Sequence, residues 1–316
     1  MVDPAAPRQD MAPLATGQIA PAAPHGASLA TPSAAAEGSR GWLFGEGGLA
    51  SMLFRRLNDA LLRPFYATYE QSLAAQSSRW RKPKHIGIVM DGNRRFARIL
   101  GSDVSYGHKI GADKLREMLD WCFECEIPVV TVWGFAIDNF KRSTAEVQAL
   151  LELFEIKTLE MVDSRDLHDN QVRVRFIGRL DLLPESLKAA IAKVEAATAK
   201  YDRFVLNIAL AYGGREEISD AFVEYLKHKE RTGRNLADAI ADFNPKALER
   251  YLYTSGLPEP DLLVRTSGEV RMSGFMLWQG AQAEYYFCDT NWPAFRRIDF
   301  LRALRSFDQR QRRFGR

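Results

Sequence analysis

The chain has 316 residues, 46% of them hydrophobic and 26% charged, with a net charge of +3. That profile suits a soluble globular protein with a sizeable core, in one large domain or two small ones. It excludes an electrostatic case for nucleic acid, since acids nearly balance bases, and no run of about 18 apolar residues is present to span a bilayer.

Residues 1–48 are rich in Ala and Pro and have neither a helical nor a strand period, so they are expected to be disordered. They lack the charged-then-apolar layout of a signal peptide. Gly45, Gly47 and Gly48 follow no strand and read as a flexible joint. Residues 49–80 are expected to hold an amphipathic helix. Leu53, Leu57 and Leu61 recur every four residues on one face, with Arg55, Arg56 and Arg63 nearby, and Pro64 ends or kinks it. The face either packs on the main domain or lies on a membrane surface.

Residues 81–316 alternate between strand-length apolar runs and longer runs of helical period. The strands are expected at His85–Met90, Pro128–Phe135, Val172–Ile177, Phe204–Ala211, Asp261–Val264 and Tyr285–Cys288. Helices are expected at Ala145–Val162, Glu185–Ala199, Glu216–His228 and Ile298–Arg312, with Ser143 and Glu146 forming a capping box. This alternation predicts an α/β fold: six strands, mainly parallel, surrounded by helices. Cys122 and Cys125 form a C-x-x-C pair with no second cluster to complete a tetrahedral site. They fall in the amphipathic run Leu115–Ile127 and read as core thiols. With Cys288 the count is odd, which fits a reducing compartment rather than a disulfide framework.

In an open parallel sheet, ligands bind beyond the carboxyl ends of the strands. Four such ends carry polar motifs: Asp91-Gly92-Asn93-Arg94-Arg95, the stretch Phe135 to Arg142, Tyr212-Gly213-Gly214-Arg215, and the stretch Arg265 to Ser273. Arginine forks and glycine backbone N–H groups suit phosphate oxygens. A lone aspartate at a strand end suits Mg²⁺ that bridges to substrate phosphates. The pattern therefore points to a diphosphate site. No Walker loop and no G-x-G-x-x-G after a strand accompanies it, which disfavours nucleotides. Val147, Leu150, Leu151, Leu153 and Phe154 are either ordinary core or the wall of an apolar tunnel.

The run from His85 to Arg95, with the later motifs in order, resembles the cis-prenyltransferases over Lys84 to Gly315. Arg94, the stretch Asn139 to Ser143 and the stretch Arg265 to Gly268 look more like eukaryotic dehydrodolichyl diphosphate synthases than bacterial undecaprenyl diphosphate synthases. The resemblance implies condensation of isopentenyl diphosphate with an allylic, farnesyl-type diphosphate, giving a polyprenyl diphosphate for dolichol or glycosyl-carrier lipid. It implies Mg²⁺ as cofactor, held by Asp91 and by Glu284, the latter presented across a dimer. Asp91, His108 and Asn139 match catalytic positions. Gly92, Asn93, Arg94 and Arg95 match the loop that cradles the allylic diphosphate. Phe135, Phe140 and Arg142 match a segment that closes over the site. Arg265, Arg271 and Ser273 match the isopentenyl diphosphate site. Arg313 and Gly315 match a terminal R-x-G motif that reaches a partner's site.

The chain carries both the catalytic motifs and that tail, so a self-sufficient homodimer is expected. A heteromer with an accessory subunit is the alternative, as is a role as that non-catalytic subunit. Peripheral association with the cytoplasmic face of the endoplasmic reticulum membrane is expected, or else a cytoplasmic location. Two positions depart from the family pattern: Val104 stands where an arginine is usual, and Ala136 where a serine is usual. They raise the alternative of a short-chain or diverged prenyl diphosphate synthase.

Overall fold

Every residue of His85–Val89 is buried, as the middle strand of a parallel sheet requires. The computed structural model describes residues 66–310. Their strands are β1 His85–Val89, β2 Val129–Trp133, β3 Val172–Ile177, β4 Phe204–Ala209, β5 Leu262–Arg265 and β6 Glu284–Phe287. They lie in the order β3-β4-β2-β1-β5-β6. All pairings are parallel. All six expected strands are present; six of their twelve ends are trimmed by one or two residues, four are unchanged and two extend by one.

The helices are α1 Asn93–Ile99, α2 Val104–Glu124, α3 Thr144–Val162, α4 Arg165–Asp169, α5 Glu185–Thr198, α6 Gly214–Arg231, α7 Leu236–Asp242, α8 Pro245–Glu249 and α9 Arg297–Gln309. Ser143 caps α3 by accepting from the Glu146 N–H at 3.4 Å, as its sequence predicts. Two helices depart from the sequence reading. The stretch read as a loop after β1 becomes α1 from Asn93 onward. The longest helix, α2, begins at Val104 and not near Leu115. Gly107 and Gly111 interrupt its apolar period. Gly111 is needed for close packing, because a Cβ there would meet Asn93 Oδ1 at 2.2 Å.

Strand alternation divides the core. Ile86, Ile88, Val130, Val132, Leu206 and Ile208 face one large apolar cluster with residues of α2, α5 and α9. Val89, Ala209 and Leu263 face a smaller one with Tyr212, Phe275 and Met276. Cys122 and Cys125 sit in the large cluster, where burial pushes both thiols up. Residues 66–77 are helical, with Leu73 only 1% exposed in that cluster. Glu70 pairs with Arg297 at 3.8 Å, and Tyr66 and Tyr69 lie under Arg296 and Arg302. The expected division at residue 81 thus cuts through a packed segment: the helix buries part of its face on the domain. The stripe Leu53, Leu57 and Leu61, the segment 1–48 and Pro64 lie outside the described residues.

The sheet carries one buried polar string. Asn207 Nδ2 donates to Thr131 Oγ1 at 2.9 Å, Thr131 bonds His85 Nε2 at 2.8 Å, and His85 Nδ1 bonds the Pro258 carbonyl at 2.7 Å. The carbonyl can only accept, so Nδ1 carries a proton; Thr131 Oγ1, which accepts from Asn207, is placed to donate to Nε2, which suits the neutral ring. Burial lowers the His85 pKa to about 4. The unfolded chain therefore takes up this proton first as the pH falls. Stability from the neutral ring is complete above about pH 6.5 and declines through pH 4, by roughly 3 kcal/mol in full and about 2 kcal/mol by pH 5. Urea unfolding at pH 7.5 and pH 5 should show that loss, and His85→Gln should remove that share of the slope. An equal slope in both proteins would assign the dependence to other groups.

Candidate active site

The order of the strands places a switch point between β1 and β5: the chain leaves β1 toward β2 and leaves β5 toward β6, on the opposite side. A crevice opens where such neighbours diverge. Asp91 and Arg265 meet there. Arg265 Nη2 donates to Asp91 Oδ2 at 2.7 Å, and the Gly92 N–H donates to Asp91 Oδ1 at 2.7 Å. Burial works to raise the Asp91 pKa, but the hydrogen bond and charge of Arg265 outweigh it and hold the carboxyl below its usual range. Thr266 Oγ1 accepts from the Asp91 N–H and donates to the Asp91 carbonyl, at 2.9 and 2.7 Å. Gly92 adopts φ 100°, and a Cβ there would meet Asn291 at 2.4 Å, so only glycine turns the chain from strand to α1 at this point.

Arg265 itself is 5% exposed. Its Nη1 donates to Ser273 Oγ at 2.9 Å and to the Arg271 carbonyl. Ser267 and Ser273 both have positive φ, 76° and 51°. Such non-glycine backbone persists where surrounding contacts over-determine it, often beside a site.

These groups line a cleft of about 1070 Å³. Arg94, Arg95 and Arg98 of α1 line it, together with Lys141, Arg142, Arg215 and Arg265. The acids there are Asp91, Asp138 and Glu216. Seven cations against three acids give a site for a strongly anionic ligand. Arg142 Nη1 donates to Glu146 at 2.9 Å. Arg95 donates to the Ser267 carbonyl at 2.6 Å and pairs with Glu269, which also holds Arg271.

A second cavity, about 350 Å³, lies between α2 and α3 and is lined chiefly by apolar side chains, among them Leu115, Leu119, Phe123, Leu153, Phe154 and Phe176. Met90, Asn93, His108, Gly134 and Leu150 line both spaces, so they form the junction. Of the five residues offered as core or tunnel wall, Leu150, Leu153 and Phe154 line this cavity. At the junction, Asn93 Oδ1 and His108 Nε2 are buried with no hydrogen-bond partner among the described residues, and Glu146 Oε1 lies 3.8 Å from His108 Nε2. Burial, with the charge of Arg142, lowers the His108 pKa to about 4. A neutral ring nitrogen there can accept a proton.

The expected site residues divide as follows. Asp91, Gly92, Asn93, Arg94, Arg95, His108, Asn139, Arg142, Arg265 and Ser273 converge on the cleft. The side chain of Asn139 also accepts from the Ala136 N–H at 3.0 Å, which fixes the turn after β2. Phe135 and Phe140 do not line the cleft. They pack edge to face at 4.9 Å within the apolar core, so they support the segment from beneath. The Arg271 side chain is mostly exposed and held by Glu269, and only its carbonyl reaches Arg265. Glu284 begins β6 in register with Leu262, at the end of the strands away from the cleft, and pairs with Arg310 at 2.9 Å. Asp91 and Glu284 of one chain are not brought together. Arg313 and Gly315 lie outside the described residues. Val104 starts α2 outside the cleft lining, whereas Arg98, absent from the expected set, faces in.

Glu217 was also missed. It is 1% exposed and accepts from the Tyr212 hydroxyl at 2.5 Å, the Tyr253 N–H at 2.9 Å and Gln279 Nε2 at 2.8 Å. Tyr212 in turn accepts from the Met276 N–H at 3.1 Å. This hub ties the loop bearing Ser273 to the end of β4. Burial pushes the Glu217 carboxyl up although three donors oppose the shift. Its sequence signal was the stripe Glu217, Ala221, Tyr225 at four-residue spacing, all buried on α6.

Among the described residues no three acids, histidines or cysteines cluster as a metal cage. Of the three cleft acids, Asp91 is the one at the β1–β5 switch point beside Arg265, and its part-exposed carboxylate would suit Mg²⁺ delivered with a diphosphate.

A family model described as "Putative undecaprenyl diphosphate synthase" matches residues 89–315. An isoprenyl transferase of Thermus thermophilus is 48% identical over 257 residues, 81% of this chain and 98% of that protein. A tritrans,polycis-undecaprenyl-diphosphate synthase (geranylgeranyl-diphosphate specific) of Methanocaldococcus jannaschii is 47% identical, covering 78% of this chain and 88% of that one. Among solved structures, lavandulyl diphosphate synthase of Lavandula x intermedia, in complex with dimethylallyl diphosphate, superposes with a TM-score of 0.68. It shares 33% identity and covers 74% of this chain and 99% of its own.

Proposed function

The chain belongs to the undecaprenyl diphosphate synthase family of prenyltransferases, and from that premise we propose that it lengthens an allylic prenyl diphosphate with isopentenyl diphosphate to a polyprenyl diphosphate. The observation that carries this reading is the junction at Asn93 and His108, where an arginine-lined cleft adjoins an apolar cavity and shares its wall. A charged head and an isoprenoid tail need those two environments side by side.

Arg94, Arg98 and Arg142 would grip the allylic diphosphate, and Arg265 with Ser273 the diphosphate of the second substrate. Bound Mg²⁺, held by Asp91 and phosphate oxygens, would add charge stabilisation to the leaving group. As the allylic C–O bond breaks, the arginines stabilise the developing diphosphate charge. The alkene of isopentenyl diphosphate then forms the new C–C bond, and a proton leaves the adjacent carbon. Asn93 Oδ1 is an unpartnered acceptor at the junction, and His108, with Nε2 3.8 Å from Glu146 Oε1, would relay the proton from beside it. The apolar cavity keeps water from the cation.

We read the product as a glycosyl-carrier precursor, supported by the undecaprenyl name of the archaeal relative. The dehydrodolichyl likeness gains no support from the bacterial and archaeal relatives above. A homodimer is part of the proposal, since Glu284 faces away from its own chain's cleft. A short-chain product is the second reading, favoured by Val104 in place of the usual arginine. Purified protein with labelled isopentenyl diphosphate, Mg²⁺ and primers of increasing length should give labelled, solvent-extractable chains. Product length separates the two readings, and absence of any labelled chain with every primer would refute both.

A further inference from the structure

The turn that joins α1 to α2 is bracketed by two cleft residues, Arg98 on one side and His108 on the other. Between them, within eight residues, Ile99 is 72% exposed and Leu100 53%, and Val104 and Tyr106 are also exposed. Single exposed apolar side chains are ordinary on a protein surface, but this clustering at one protruding turn is not. The turn is well formed: Gly101 takes φ 64°, and the Ser102 N–H donates to the Ala97 carbonyl at 2.9 Å. At Gly101 it stands clear of the other described residues, since a Cβ there would meet nothing of them within 4 Å.

Its flanks are basic. Lys109 is exposed on α2, and Arg94 and Arg98, which also line the cleft, are exposed on α1 at its mouth, while Arg95 is tied to Glu269. The one acid on the turn is Asp103. Apolar tips flanked by cations, with a tyrosine among them, match the layered chemistry of an anionic bilayer: hydrocarbon beneath, phosphate above.

We propose that residues 99–106 are a docking surface for an anionic lipid bilayer, which seats the mouth of the cleft against the membrane. The purpose of the contact rests on the function proposed above, because a lengthening prenyl chain is itself membrane-soluble. The contact does not need catalysis and is tested apart from it.

The full chain should co-sediment with vesicles of mixed phosphatidylcholine and phosphatidylglycerol, and much less with phosphatidylcholine alone. Ile99→Ser/Leu100→Ser should weaken binding to the mixed vesicles by about tenfold. The conservative pair Ile99→Leu/Leu100→Ile should retain it. Circular dichroism and turnover on a short, soluble primer should be unchanged in both variants, as neither residue lines the cleft. Loss of turnover in the intact protein would count against the proposed function, not against docking. No vesicle binding by the intact chain, or undiminished binding by the serine variant, would overturn the proposal. So would light scattering in which the serine variant loses a self-association that the parent shows while vesicle binding persists, since the turn would then join two copies.

Discussion

Replacing Asp91 with Ala should lower turnover by about a hundredfold or more while leaving the sheet folded. The carboxylate stands just beyond the last residue of β1, part-exposed, so its removal opens no cavity in the core. Arg265 would lose one of three hydrogen-bond partners but keep Ser273 Oγ and the Arg271 carbonyl. Because Arg265 is buried, losing its carboxylate partner costs on the order of 2–3 kcal/mol of stability. Chemistry suffers far more, because Asp91 is the cleft carboxylate positioned to hold a metal on the leaving diphosphate. Asp91→Asn preserves shape and one acceptor but not charge, and should fall nearly as far. Circular dichroism should match the parent for both variants. Turnover by Asp91→Ala close to that of the parent would remove this residue from the chemistry.

Glu217→Ala should cost about 3 kcal/mol of folding stability and also weaken activity, although Glu217 does not line the cleft. Three buried donors, the Tyr212 hydroxyl, the Tyr253 N–H and Gln279 Nε2, would lose their common acceptor. The loop at Ser273 to Met276 would lose the anchor that Tyr212 provides. A positioning role predicts a split: KM for isopentenyl diphosphate should rise more than kcat falls. Glu217→Gln keeps an acceptor and should recover most of the stability. Equal loss of kcat at unchanged KM would point to Glu217 acting on the reacting atoms themselves. Chemical denaturation with steady-state kinetics on both variants decides it.

The strands were legible because each is a short apolar run between polar segments, and parallel strands are buried on both faces. The runs His85–Val89 and Phe204–Ala209 show this directly. Helix α2 was not, because Gly107 and Gly111 break its apolar period. The polar ends of β1 and β5 were legible as phosphate chemistry, yet which side chains turn inward was not. Phe135 and Phe140 align with a closing segment, but their rings point into the core. Arg98 looks like any helical arginine until α1 is seen to run along the cleft. Glu217, next to Glu216, reads as a solvated face unless it is grouped with Ala221 and Tyr225 at four-residue spacing.

The pairing of β1 with β5 has a consequence in time as well as in space. Asp91 and Arg265 are 174 residues apart in sequence, and their strands are neighbours only in the finished sheet. Contacts this distant form late, because a long loop must close before they repay its entropy. A ribosome-bound chain that has not yet released β5 can pair β1 with β2, but it has no guanidinium beside Asp91. The nascent chain thus stays without its anion site until β5 has been released, and the charge pair that prepares the cleft also marks the closing of the sheet between β1 and β5.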